Sequence, residues 1–491
     1  MKEKSSTKYN LIMNYLLQIS NFIFPLITYP YISRVLGADG LGKVSFANSV
    51  TTYFAALATF GISTYAVRTC AKVRDDAQKL SRTAQELVLV NGLTSVIAIL
   101  LLIPVVIVVP RFRGQWILML LFGIAVATEF LGMHWFYVSI EKFRYITIRS
   151  LVFKSISLLL IFLLVRNKSD YLIYALITVS AMVGSNLVNF IHSRKYISHS
   201  LKFPFEIRQH YHYTKWFFIQ SVALTLFFNM DITMLGFLST DSQVGNYEMA
   251  LKIKYLLSTL VSSLGTFFLP RLSNDYVKKN MKAYWHTVEK SLRYICFITV
   301  PMVGFIWMEA GDIINLLGGE EYRSAADILR GLVVVVFFIG LSTVTGTQIL
   351  LSMEKEKCVF LSILSGSAVN VILNIALIPR YQAMGAAYAT ILSEIVVLAV
   401  QLFFIRRKNL QLHISEAVKK PVIGTIPAFL GMLILNHLFF GRQLNQSGFI
   451  RLLSMTGLYG LIYAGILFLI REEIFMELFH MVIKRGKNEY L

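Results

Sequence analysis

The stretch FFNMDITMLG, residues 227–236, carries Asp231 halfway along the apolar run Trp216–Leu238. Just downstream, Lys252 and Lys254 lie inside a second apolar run, 247–269. Ionisable groups in segments of membrane-spanning length face a water-filled cavity or pair with one another. At 1.5 Å per residue, Asp231 sits ~12 Å from the far end of its run, and the lysines ~8–11 Å from the start of theirs. For two adjacent antiparallel helices these depths match. Lys252 and Lys254 project about 200° apart on a helix, so only one of them can meet Asp231 or a cavity. The other must snorkel outward or face another helix. Two readings stay open: a pair that locks two helices together, or a cluster that lines a pathway for an anionic or proton-coupled cargo. Glu129 and His134 in the run 115–139, and Glu394 in the run 384–405, are further ionisable candidates for such a pathway. Asn21, Asn48, Asn186, Gln220, Asn229, Asn370 and Asn374 scatter polarity through other apolar runs. Singly each suits a helix–helix hydrogen bond; together they suggest an interior wet enough for sugar hydroxyls.

Other chemistry finds no support. GADGLGKV, Gly37–Val44, satisfies G-x-x-x-x-G-K but offers Val44 where a phosphate loop needs a hydroxyl for magnesium. It joins two apolar runs rather than a strand and a helix, so it reads as a glycine-rich turn. The nine histidines form no H-E-x-x-H, and His210 and His212 sit in a basic, aromatic loop. The three cysteines, Cys70, Cys296 and Cys358, make neither a disulfide framework nor a metal motif. No nucleophile–base grouping stands out. No cofactor, metal or catalytic residue is expected, and the chain reads as a protein that moves something rather than an enzyme.

The elements that must position these residues are membrane helices. The chain is 56% hydrophobic and 15% charged over 491 residues, against about 45–50% and about 25% in soluble domains. Its apolar material falls in blocks of roughly 20 residues, the length that crosses ~30 Å of hydrocarbon. Fourteen candidate spans run from residue 11 to residue 470, which predicts an all-α polytopic membrane protein. If the N-terminus is cytoplasmic, most of the 47 basic residues fall on inner segments, so both termini are cytoplasmic by the positive-inside rule. The net charge of +20 then reflects topology and attraction to anionic lipids rather than nucleic-acid binding. Within that inner set, Arg68, Lys142, Arg144, Arg149 and Lys154 approach the inner halves of early spans. They could receive an anionic head group, although each taken singly is better explained as plain loop charge on the inner side. The N-terminal run, with Asn14, Gln18, Asn21 and Pro25, is too long and too polar for a signal peptide and reads as the first span.

Loops are short. The longest on the outer side, Gly311–Asp327, could hold a turn or a short helix but no catalytic domain. The longest inner connection, 193–214, follows span six, where a two-lobe transporter needs its linker. Aligning Gly42 with Gly245 lays RVLGADGLGKVSFANSV over FLSTDSQVGNYEMALKI, a weak internal repeat. The organisation expected is a six-helix lobe at 11–192, the linker, a second six-helix lobe at 215–405, and two extra helices within 420–470, in a parallel-repeat layout. At 472–485, Ile474, Phe475, Leu478, Phe479 and Val482 recur at helical period, an amphipathic helix for the inner membrane surface or a partner.

Phe24–Asp76, opening FPLITYPYISRVLGADGLGKVSFANSV, resembles the start of the polysaccharide-transporter (Wzx-type) flippases, of the superfamily that includes multidrug extruders and lipid II flippases. MDITMLGFLSTDSQVGNY (230–247) is similar to the family's second-half opening, and NVILNIALIPRYQAMGAAYATILSE (370–394) to its N-x-x-L-N-x-x-L-I-P segment. The resemblance covers spans 1–12. It implies two six-helix bundles around a central cavity in a bacterial cytoplasmic membrane, moving an undecaprenyl-pyrophosphate-linked oligosaccharide outward by alternating access, with polysaccharide polymerase machinery as a possible partner. Arg34, in the family's R-x-L-G, and Lys252 or Lys254 would then meet the pyrophosphate near the outer mouth. A cation-coupled multidrug exporter of the same superfamily is the alternative, and a glycan polymerase or ligase a third reading that the small loops disfavour.

Overall fold

The computed structural model describes residues 7–197, 206–407, 412–435 and 448–488. Its helices are α1 (Thr7–Thr59), α2 (Ile62–Lys72), α3 (Ala77–Val108), α4 (Pro110–Arg113), α5 (Trp116–Ala127), α6 (His134–Ser139), α7 (Phe143–Leu164) and α8 (Tyr171–Ser193). There follow α9 (Ile207–Leu238), α10 (Asp241–Val277), α11 (Met281–Gly318), α12 (Ala325–Ser342), α13 (Glu356–Arg406), α14 (Ile414–Leu435), α15 (Gly448–Leu469) and α16 (Glu473–Asn488). Among the described residues there is no strand, and twelve helical segments are long and apolar enough to cross a membrane. This is a multi-pass membrane protein.

Twelve rather than fourteen segments emerge because two of them, α1 and α13, run through an internal break. α1, at 53 residues, departs from helical geometry at Gly37 (φ 69°). α13, at 51 residues, does so at Gln382 (φ 51°), a left-handed value that burdens any side chain but glycine. The outer connection expected at Gly311–Asp327 is shorter than the sequence suggested. α11 stays helical to Gly318, and one 3₁₀ turn, Glu320–Tyr322, leads into α12.

The chain packs as two compact units, Met1–Gly245 and Asn246–Leu491, divided within α10. In the first, Ile62, Cys70, Leu87, Phe136, Tyr137 and Ile146 are buried together, drawing α2, α3, α6 and α7 around one core. Asp76 starts α3 by accepting hydrogen bonds from the backbone N–H groups of Gln78 and Lys79, both at 3.1 Å. These bonds, led by that from Lys79, hold its carboxyl below the usual range. In the second unit, Val261, Tyr284, Ile295, Val336 and Leu398 share a core.

The last two apolar helices are fastened to the second unit through a defect in α11. Pro301 has no N–H, so the carbonyl of Phe297, four residues earlier, loses its helical donor. The hydroxyl of Tyr463 on α15 donates to that carbonyl at 3.0 Å, and Tyr459 donates to the carbonyl of Pro301 at 3.0 Å. Both tyrosines are buried with Met432, Met455 and Leu467. Tyr463→Phe should therefore lower stability by roughly 0.6–2 kcal/mol, the scale of an interhelical hydrogen bond in a membrane. Thermal unfolding of the purified protein in detergent would read this as a reduced Tm, and an unchanged Tm would show that the Phe297 carbonyl does not depend on α15.

Candidate functional site

Two assemblies in the first unit carry polar chemistry. One lies around Gly37. The glycines paired by the internal alignment, Gly42 and Gly245, meet across a helix crossing. A Cβ on Gly42 would fall 1.7 Å from the Asp241 carbonyl oxygen, and one on Gly245 would fall 1.9 Å from that of Ala38. Gly42 and Gly245 thus each admit a backbone carbonyl lying one turn before the other glycine, those of Asp241 and Ala38, and so bring the two backbones together reciprocally. In the same alignment the break at Gly37 falls opposite Thr240, at the turn between α9 and α10. Arg111 closes the crossing: it pairs with Asp241 at 2.6 Å and donates to the Gly236 carbonyl at 3.0 Å, while Gln115 donates to Asp241 at 3.2 Å. Lys43, the lysine of the glycine-rich turn, pairs with Asp39 at 2.7 Å and lies over the Tyr171 ring.

Asp231 belongs to this seam. It is buried on α9 and interacts electrostatically with Tyr53 on α1. Its second neighbour in sequence, Thr233, donates to Ser49 at 3.0 Å or Tyr53 at 3.2 Å. Arg34 is exposed three residues before the break. Lys252 and Lys254 fall in the second unit. There Lys252 pairs with Glu248 at 2.9 Å, a partner the sequence reasoning did not name, and Lys254 is buried with its ammonium 4.9 Å from the Tyr255 ring centre. Glu394 is buried on α13, one turn beyond Thr390, whose hydroxyl bonds that of Tyr247 at 3.1 Å.

The other assembly surrounds a break in the fourth apolar segment. Between α5 and α6 the chain passes through a 3₁₀ turn, Glu129–Leu131, and a left-handed Met133 (φ 43°). α8 caps the exposed backbone: Asn186 donates to the Thr128 carbonyl at 3.4 Å and Asn189 to that of Gly132. In return Tyr137 donates to the Asn189 carbonyl at 2.7 Å. Irregular backbone at membrane depth is tolerated where protein satisfies it or where it lines water. Glu129 and His134 therefore stand at the two lips of a helix break, something their spacing alone did not disclose.

Facing this break is α7. Arg149 interacts electrostatically with His134, Tyr137 and Tyr145, and its Nε and Nη1 are buried without a hydrogen-bond partner among the described residues. Five residues on, Lys154 donates to Ser20 at 2.8 Å and Asn21 at 2.6 Å on α1. Lys154 and Asn21 line a cavity of about 430 Å³ between α1, α7 and α8, with Thr28, Ser150, Ser157 and Thr178 among its hydroxyls. Among the described residues its lining holds no carboxylate. Such a chamber offers cationic and hydroxyl donors to an anionic, hydroxyl-rich group. The other basic candidates lie apart. Arg68 stacks over Phe217, with 5.7 Å to the ring centre, Arg144 is exposed, and Lys142 lies over Tyr196.

The model for the family described as polysaccharide biosynthesis protein matches residues 8–274, more than half of the chain. The chain belongs to this family. A model described as MatE matches residues 217–376. A protein of Escherichia coli (strain K12) described as an O-antigen transporter is 24% identical over 83% of this chain and 98% of its own length. One of the same description from Shigella dysenteriae is 22% identical over 80% and 99%. The fold of this family member matches the lipid II flippase MurJ in an inward closed conformation, with TM-score 0.71, 15% identity and coverage of 96% and 99%. It also matches an inward-facing multidrug-resistance MATE transporter, with TM-score 0.61, 14% identity and coverage of 81% and 95%.

Two polar clusters of this family member escaped sequence reasoning. Glu86 on α3, buried, accepts from Arg82 at 3.0 Å and from the Glu206 backbone at 3.0 Å, and bonds His210 at 2.8 Å. His210 in turn bonds Tyr65 at 3.0 Å. The second cluster, Glu309 with Asp312 and Arg451, joins α11 to α15. Glu86 and Glu309 each sit near the edge of an apolar run, where a charge looks like a boundary.

For the crossing, Gly42→Ala and Gly245→Ala should each destabilise the first unit by about 1–3 kcal/mol, as overpacking does. The double variant should lose less than the sum, because both substitutions relieve one contact. Thermal unfolding of the four proteins checks this, and strict additivity would mean the glycines act separately.

Proposed function

We propose that this chain is a flippase that carries a polyprenyl-pyrophosphate-linked oligosaccharide across a bacterial cytoplasmic membrane for surface polysaccharide synthesis. The observation that carries the reading is the chamber beside α7, where Lys154 is set among hydroxyl and amide groups with no carboxylate among the described lining residues, and where Arg149, one residue before the lining's Ser150, has buried N–H groups without an acceptor among the described residues. A pyrophosphate needs cations in a medium where charge is poorly screened, and a glycan needs hydroxyl and amide partners. A cationic drug would want the opposite charge, so this lining favours the flippase over the multidrug-exporter reading. Relatives described as O-antigen transporters, aligned over nearly their whole length, support the same conclusion.

In this proposal α1 and α13 each cross the membrane twice. A helix of about 50 residues would span ~75 Å, more than twice the hydrocarbon thickness, and both turn at a non-helical residue. Counting them twice gives the fourteen spans read from sequence and puts both termini on one side of the membrane, the cytoplasmic side by the placement of the basic residues. The lobes 11–192 and 215–405, joined through 193–214, are the bodies that exchange access between the leaflets. α14 and α15, the two helices within 420–470, are an addition, and α16 lies on the inner membrane surface. The head group and sugars pass through hydrated polar chambers while the polyprenyl tail stays in lipid. Arg149 and Lys154 engage the pyrophosphate, with Arg34, Arg68, Arg144, Lys252 and Lys254 along its route. Glu129, His134, Asp231 and Glu394 shape the polar path. Surface-polysaccharide polymerase machinery receives the product.

The test is complementation of cells lacking their own flippase, reading lipid-linked repeats in the outer leaflet. Arg149→Gln and Lys154→Gln should each lower outer-leaflet repeats by about tenfold or more at normal membrane abundance, the scale of a lost charge-assisted contact of ~1.5–3 kcal/mol. Asp231→Asn and Lys252→Ala should lower transport without loss of abundance if they border the path. Repeats that reach the outer leaflet equally well without the protein would defeat the assignment.

A further inference from the structure

The second unit holds a charge arrangement that the flippase reading does not use. On α11, Glu309 and Asp312 are three residues apart and so lie on one helix face, their carboxyl groups within mutual reach. Arg451 on α15 grips Asp312 with both guanidinium nitrogens, at 2.9 and 3.2 Å. Glu309 is 3% exposed, and its Oε2 has no hydrogen-bond partner among the described residues. Two carboxyl groups therefore share one cation, and the deeper of them has an oxygen with no donor.

Leaving an ionised carboxylate in that state is among the most expensive arrangements a protein interior can hold, and such groups neutralise instead. Among the described residues, Arg451 is the cation that acts on Glu309. From α12, Arg330 is held by Asp327 at 2.5 Å and by the Trp307 carbonyl at 3.3 Å. The turn after α11 contributes Glu320, Glu321 and Arg323, all exposed. Facing α11, α14 presents Thr425 beside Gly304. Lys290 and Arg293 sit more than four turns away along α11 and pair with Glu477 and Glu473 of α16. A metal ion fits poorly, since it would take several oxygen ligands and would sit beside the Arg451 guanidinium. The group that balances the site is a proton.

We propose that Glu309, Asp312 and Arg451 form a proton-binding site that couples the transport cycle to the proton gradient. Asp312 and Arg451 keep 32% and 29% of their side-chain surface exposed, and so connect the buried Glu309 to water. A proton enters from water onto the Asp312 carboxylate, which releases Arg451, and passes to Glu309, which lets Arg451 close on Asp312 again. Release reverses these transfers. Loading and unloading thus alternately loosen and tighten the contact between α11 and α15, on a helix whose hydrogen-bond ladder is already interrupted at Pro301. The cargo half of this inference rests on the flippase reading; the proton half does not.

The test uses the full chain reconstituted in proteoliposomes, with two readouts. Infrared difference spectra across a pH titration should show the carbonyl stretch of a buried protonated carboxylic acid in the wild type. The band should vanish in Glu309→Gln and persist in Asp327→Asn. Flipping of a fluorescent polyprenyl-pyrophosphate oligosaccharide should slow at least fivefold in the wild type when a protonophore collapses an imposed pH gradient. Glu309→Gln should flip at a rate the protonophore no longer changes, and Asp312→Asn should show a reduced response. A wild-type spectrum without the band overturns the site whatever the variants do. A Glu309→Gln protein that keeps full protonophore sensitivity overturns its coupling role, as does a rate that follows a sodium gradient instead. If no variant flips this cargo, the flippase reading fails while the infrared band still decides the proton.

Discussion

Hydrocarbon offers no partner to a peptide group, so every break in a membrane helix has to be repaired by another part of the protein. That constraint organises this chain. The loss of a donor at Pro301 is met by Tyr463. The unwound segment between α5 and α6 is met by Asn186 and Asn189. Gly37 ends the first half of α1 where the following turn packs backbone-to-backbone on the start of α10. Each repair fixes which helices touch, and the repairs rather than the apolar surface decide the arrangement. Apolar surface cannot do so, because lipid satisfies a leucine as well as a neighbouring helix does.

This explains what was legible in the sequence. Helical class and membrane residence follow from composition and the length of the apolar runs, which report on solvent and not on neighbours. The glycine-rich turn at Gly37–Val44 and the polar asparagines were visible as exceptions to that pattern. The partners of those exceptions were not visible, because a hydrogen bond such as Asn186 to Thr128 joins residues 58 positions apart that share no local signal. The internal alignment came nearest. Placing Gly42 over Gly245 rested on a faint resemblance, yet those two glycines meet each other in space. A duplicated small-residue motif packs well against its own copy, so the repeat and the contact have one cause.

The site residues divided along the same line. Glu129, His134, Arg149 and Lys154 were nominated for being ionisable near or within apolar runs, and the fold places them around one broken helix and one chamber. Lys252 was nominated on the same ground but is held by Glu248 one turn earlier on its own helix. Periodicity could have found that pair, since i,i+4 spacing is readable from sequence. The Glu86–His210 and Asp312–Arg451 contacts could not be found that way, being 124 and 139 residues apart.

The charges of the first unit then sort by how they are compensated. Arg111 with Asp241, and Glu86 with Arg82, are closed sets in which opposite charges meet, and His210 hydrogen-bonds the same Glu86 carboxylate. Their field is short-ranged, and their work is to hold helices in place. Lys154 is different, because Ser20 and Asn21 are neutral dipoles that orient its ammonium without cancelling it. Arg149 has buried N–H groups with no acceptor among the described residues. A bundle that keeps two cations uncancelled in a low-dielectric setting gives up stability relative to one that pairs them. An anion bound beside α7 would recover that loss, which is the ground for proposing that these two cations serve cargo rather than the fold. Under that proposal, pairing either cation with a carboxylate would stabilise the protein at the expense of anion binding, so a folded but inactive variant is the informative one.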